Sequence, residues 1–94
     1  MGNYREVFDL AAKVGSLEGY LYLLPEEAPR YFNNWLGNIQ RMYSALPKEA
    51  RDDCRESFLE TFGKAVELMD KLPNAGEENV RLAKQILAEA KDSS

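Results

Sequence analysis

Residues 7–24, VFDLAAKVGSLEGYLYLL, place Val7, Leu10, Val14, Leu17, Leu21 and Leu24 at alternating intervals of three and four. That spacing tracks the 3.6-residue turn of an α-helix, so the six side chains wind one apolar seam along a single face. Just upstream, Asn3 can accept backbone donors of the first turn, and Glu6 three residues later completes a capping-box-like pair. The first helix is therefore predicted over residues 3–24.

The seam stops at a proline, and so do two others. Leu24-Pro25, Leu46-Pro47 and Leu72-Pro73 each follow an apolar periodic run. Proline pushes the residue before it out of helical geometry and suits the first turn of a new helix. Leu-Pro-Glu-Glu-Ala at 24–28 and Leu-Pro-Lys-Glu-Ala at 46–50 read as shared helix-start chemistry, with acidic side chains at the positive end of the dipole, because the similarity fades within a few residues.

Between these stops the apolar period continues. Phe32, Trp35, Leu36, Ile39, Met42, Tyr43 and Leu46 predict a helix over 29–46, with Pro29 near its start and 25–28 as a separate turn. Ala50, Cys54, Phe58, Phe62, Ala65, Val66, Met69 and Leu72 predict the longest helix, over 47–72. After the turn Pro73-Asn74-Ala75-Gly76, in which Asn74 or Gly76 can cap, Val80, Ala83, Ile86, Leu87 and Ala90 predict a last helix over 76–91 with small core residues.

Four amphipathic helices on short connections predict an all-α single domain over 1–94, a four-helix up-and-down antiparallel bundle. Its rival is a three-helix core with a short packed fourth helix laid across it.

Chemistry is constrained by what the chain lacks. It has no histidine and one cysteine, so the commonest general base and the zinc and di-iron ligand sets are missing. Cys54 has Arg51 and Arg55 nearby, but Asp52 and Asp53 adjoin it and it falls on the apolar stripe, so it reads as a structural thiol. Asp52, Asp53, Glu56 and Glu60 lack the spacing of a calcium loop and read as a solvated helix face. The six glycines form no phosphate-cradling loop. No metal, cofactor or catalytic residue is assigned.

Net charge is −4 and the pI about 4.8, which disfavours nucleic acid and anionic membrane as partners. A lone cysteine and a start, MGNYRE, without the apolar core of a signal peptide point to the cytoplasm.

Two surfaces differ from plain solvent faces. On the first helix a second row, Tyr4, Phe8, Ala11, Gly15 and Tyr22, flanks the seam and widens the apolar arc. Such a helix is either central, touching two neighbours, or carries a patch that another chain covers, and central placement is the expectation here. Gly15 and Gly63 inside helices signal close approach of a neighbouring backbone or ring. On the second helix Asn33, Asn34, Gly37, Asn38 and Ser44, with Arg30 and Arg41, sit beside Tyr31, Trp35 and Tyr43. Aromatics with adaptable amides and little charge match the make-up of a binding patch.

The residues thus point to a non-enzymatic protein–protein interaction module that docks a protein partner, or itself as a homo-oligomer, through the first or second helix. Tyr31, Asn34, Trp35, Asn38, Arg41, Tyr4, Phe8 and Tyr22 are the candidate contacts. The alternative is a bundle that binds a small molecule or apolar ligand in a pocket lined by Tyr20, Tyr22, Tyr31 and Tyr43.

Overall fold

Each proline junction ends a helix in the computed structural model, which describes residues 4–92. Helix α1 runs Tyr4–Leu23, a 3₁₀ turn Ala28–Tyr31, α2 Phe32–Ala45, α3 Lys48–Lys71 and α4 Glu77–Asp92. The Asn3 cap lies outside the described residues. Observed boundaries fall within one or two residues of the predicted ones except at the start of α2. There Pro29 sits inside the tighter 3₁₀ turn, where Arg30 N–H bonds back to the Glu27 carbonyl at 3.1 Å, and α-helical geometry begins only at Phe32.

The local chemistry of the stops is that of the sequence. Leu46 and Leu72, each preceding a proline, take extended backbone with ψ of 141° and 126°. Their amides close the preceding helices through bonds to Tyr43 and Met69 carbonyls at 3.2 and 3.1 Å, the tightened last turn that satisfies otherwise orphaned acceptors. Gly76 enters α4 with φ of +91°, a left-handed value that costs glycine little and a β-carbon much.

Four stripes meet in one core. Leu17, Phe32, Leu36, Ile39, Phe62 and Met69 are its largest fully buried side chains, and no polar or charged residue is buried among the described residues. Helix α4 contributes Ala83, Ile86 and Ala90 to the core and packs on both α3 and α2. Ala28 and Ala75, in the two longer connections, are buried as well, which no periodic signal marks.

The order of helices around the core is a tertiary decision. Closely packed pairs are α1 with α2, α1 with α3, α3 with α4 and α2 with α4. Going round the bundle the order is therefore α1, α2, α4, α3, and the consecutive helices α2 and α3 face each other across the centre. Tyr43 of α2 stacks on Phe58 of α3 with ring centroids 4.5 Å apart, and Phe58 in turn stacks on Phe62 at 5.2 Å. Large flat rings can bridge a diagonal that short aliphatic chains would leave void.

Three expectations are corrected. Leu24 is 47% exposed instead of extending the seam, because α1 ends one residue earlier. Although α1 does touch two neighbours, its second row is not used by them: Phe8, Ala11, Gly15 and Tyr22 are all exposed. Gly15 and Gly63 have open space where a β-carbon would stand, so no intramolecular close approach explains either.

These placements set the cost of substitution. Phe62→Ala should destabilise the protein by about 3–5 kcal/mol through lost burial and a cavity, whereas Phe8→Ala should cost under about 1 kcal/mol, both read from urea midpoints. Gly63→Ala should add roughly 0.5–1 kcal/mol of stability, since its β-carbon meets nothing. Gly76→Ala should instead lose at least about 1 kcal/mol, because of its φ and a β-carbon 3.3 Å from Asn79 Nδ2.

Candidate functional site

The seam between α1 and the start of α2 gathers three aromatic rings. Tyr20, Tyr31 and Trp35 form a triangle with centroid separations of 5.5 Å (Tyr20–Tyr31), 4.8 Å (Tyr20–Trp35) and 5.2 Å (Tyr31–Trp35), all tilted. Tilted pairs at this range bring the positive edge of one ring to the negative face of another, worth about 0.5–1.5 kcal/mol each beyond the area buried. Tyr31 precedes Trp35 by four residues and so shares its side of the chain, while Pro29 holds the turn that brings both back to α1. Trp35 is half-buried and Tyr31 remains 39% exposed.

Tyr20 belongs to this cluster but is absent from the residues the sequence nominates as contacts. Its membership depends on the register of the α1–α2 hairpin, and the only signal for it is that Tyr20 and Tyr31 stand at similar distances from the Pro25 turn.

One step round α2 from the rings, Asn34, Asn38 and Arg41 form a ladder. Asn38 Nδ2 donates to Asn34 Oδ1 at 3.4 Å, and the Arg41 guanidinium donates to Asn38 Oδ1. The i, i+4 and i, i+3 spacings put the three on one outward face. The amides thus hold one another in place and present a polar border to the aromatic triangle.

Phe8 and Tyr22 lie elsewhere. At about 100° per residue, Tyr22 points roughly 160° away from Tyr20, so the nominated residues divide between two sides of α1. Phe8 and Tyr22 share the face next to α3 and are 68% and 63% exposed. The side chain of Tyr4, the remaining nominee, lies outside the described residues. Beyond Tyr22, Leu23 is 80% and Leu24 47% exposed. The large exposed hydrophobic residues are therefore Phe8, Tyr22, Leu23, Leu24 and Tyr31, all on α1 or its junction with α2 and none on α3 or α4 among the described residues.

The cavities are modest. A groove of about 110 Å³ between α1 and α3 is lined by Val7, Leu10, Ala11, Val14, Cys54, Ser57, Phe58 and Thr61. A larger hollow of about 510 Å³ beside the 72–76 turn is rimmed by Asp70, Glu77, Arg81 and Lys84. The four tyrosines nominated for a ligand pocket do not converge: Tyr20 and Tyr31 pack together, Tyr22 faces solvent, and Tyr43 is buried against Phe58.

Reactive groups are subdued by their surroundings. Burial pushes the Cys54 thiol above the ordinary cysteine range, and its Sγ–H points to the Arg51 carbonyl at 3.8 Å. Asp52 is held below the ordinary carboxylate range by hydrogen bonds from Arg55 at 2.8 Å and Lys48 at 3.2 Å. Among the described residues no three acidic or thiol side chains come close enough together to hold a metal ion, and no helix is long and apolar enough to cross a membrane.

A raised thiol pKa means less thiolate at a given pH. Cys54 should therefore react with a small disulfide reagent at pH 8 more slowly in the native protein than in the urea-unfolded chain, and its rate should climb at a higher pH than that of free cysteine. A native rate equal to or above the unfolded one would show an activated thiol. No protein-family model, curated protein or solved structure matches this chain.

Proposed function

We propose that this chain is a non-enzymatic protein–protein interaction module, a small helical bundle that docks another protein or a second copy of itself through its first helix and the start of its second. The observation that carries the reading is that, among the described residues, the exposed large hydrophobic side chains are confined to α1 and its junction with α2, from Phe8 to Tyr31. Apolar side chains left in water singly need no explanation, but their concentration on one helix and its following turn marks a surface that gains by being covered. The Tyr20–Tyr31–Trp35 triangle bordered by the Asn34–Asn38–Arg41 ladder adds rigid aromatic anchors next to adaptable hydrogen-bonding groups, the mixture enriched at protein interfaces.

Chemistry gives less support to other readings. The apolar α1–α3 groove, at about 110 Å³, is well below the roughly 300–1,000 Å³ of pockets that enclose a ligand, and the hollow of about 510 Å³ beside the 72–76 turn mixes Leu72, Ala75 and Val80 with Asp70, Glu77, Arg81 and Lys84. A half-buried Cys54 thiol with a raised pKa and an ion-paired Asp52 are not poised as nucleophile or general base near neutral pH. The lone cysteine fits a reducing compartment, and we place the module in the cytoplasm on that ground.

The test is site-specific photocrosslinking in the native extract. A photoreactive phenylalanine analogue at position 8, 23 or 31 should give discrete adducts, of the chain with itself or with another protein, at several times the yield of the same analogue at exposed position 56 on α3. Equal yields at all four positions would remove the reading.

A further inference from the structure

The two longer connections meet at one end of the bundle. The first halves of α1 and α3 lie side by side, since Val7, Leu10 and Val14 share a groove with Cys54 and Phe58. Gln40 late in α2 bonds to Glu89 late in α4, so those two helices also run alike. Helices α1 and α3 therefore finish, and α2 and α4 begin, at the same end, where Ala28 and Ala75 are buried in the connections.

Charge is unevenly divided along the bundle. Segments 18–37 and 66–82, the connections with the six helical residues of each helix nearest to them, hold seven of the sixteen carboxylates and three of the twelve basic side chains. The whole net charge of −4 thus lies at this end, and the remainder of the chain is balanced. Asp70 here pairs with Lys84, whereas among the described residues Glu18, Glu26, Glu27, Glu67, Glu77 and Glu78 stand in no ion pair. Glu26 beside Glu27 and Glu77 beside Glu78 set like charges next to each other, a repulsion that a cationic partner relieves.

Apolar surface is exposed at the same place. Leu23, at 80% the most exposed of the large hydrophobic residues, stands between Tyr22 and Leu24, and exposed Pro25, Glu26 and Glu27 follow directly. Carboxylates therefore border an apolar corner that the chain itself leaves uncovered.

We propose that this end of the bundle docks a basic amphipathic segment of another protein. Apolar side chains of the segment cover Tyr22, Leu23 and Leu24, and its Lys and Arg side chains reach the carboxylates of Glu18, Glu26 and Glu27. The inference rests on the interaction-module reading and names the chemistry of the partner. Charge complementarity selects that occupant. A second copy offers only the same negative end or a balanced remainder, in which Lys48, Arg55 and Lys64 are already held by carboxylates. Nucleic acid and anionic membrane are repelled by the same field. A bare metal ion lacks a site, because no three acidic or thiol side chains converge among the described residues.

Calorimetric titration of the whole chain with a synthetic peptide of about 18 residues, leucine along one helical face and lysine along the other, tests this. The peptide should bind, and counterparts with Glu for Lys or Ser for Leu should each bind at least tenfold more weakly. The Glu26→Lys, Glu27→Lys double variant and Leu23→Ser should each weaken binding at least tenfold with an unchanged helical circular dichroism signal. Asp53→Lys with Glu56→Lys, on exposed positions of α3, makes the same change in net charge and should weaken it less than threefold. Raising sodium chloride from about 50 mM to about 500 mM should weaken binding several-fold, because exposed charges are screened.

No binding of the leucine–lysine peptide up to about 500 μM, equal binding of its glutamate counterpart, or equal losses in the two charge-reversed variants would overturn the proposal. If the peptide fails to bind while position 23 still crosslinks to another protein, the basic partner is wrong and the interaction-module reading stands.

Discussion

Leu17, Phe32, Leu36, Ile39, Phe62 and Met69 come from three different helices and none of them touches water. Everything else in the molecule is arranged around that contact. A chain of this length has one core, and fully burying each such side chain contributes about 1.5–3 kcal/mol against the entropy of ordering the backbone that carries it. No helix keeps its apolar stripe dry without the others. The exposed ion pairs, such as Lys48–Asp52 and Lys84–Asp70, add little beside this.

The way the core closes determines which surfaces remain. Because α1 packs beside α2 and α3, its seam is consumed on one side while the line through Phe8, Gly15 and Tyr22 is left outside. The diagonal relation of α2 and α3, bridged by the Tyr43–Phe58 stack, spends the large rings of those helices in the interior. Of the described rings of α1, Phe8 and Tyr22 stay exposed while Tyr20 packs with Tyr31 and Trp35, brought to it by the hairpin register. The same packing that stabilises the bundle therefore sorts its aromatic residues into buried ones and ones left exposed.

What the sequence determined by itself was local and periodic. Leu-Pro pairs end helices because the pyrrolidine ring excludes helical geometry one residue earlier, and stripes such as Val14, Leu17 and Leu21 are buried because a 3.6-residue turn stacks them on one face. Tyr31 and Trp35 were legible as neighbours for the same reason, being one turn apart. Tertiary structure alone decided the helix order, the burial of Ala28 and Ala75 in connections without period, the pairing of Tyr20 with Tyr31 and Trp35, and the exposure of Phe8 and Tyr22. Each depends on which helix lies beside which, and an apolar stripe is attracted to any other apolar stripe. Only the fit of side chains across the closed core chooses among the arrangements, and that fit is set by residues distant in sequence.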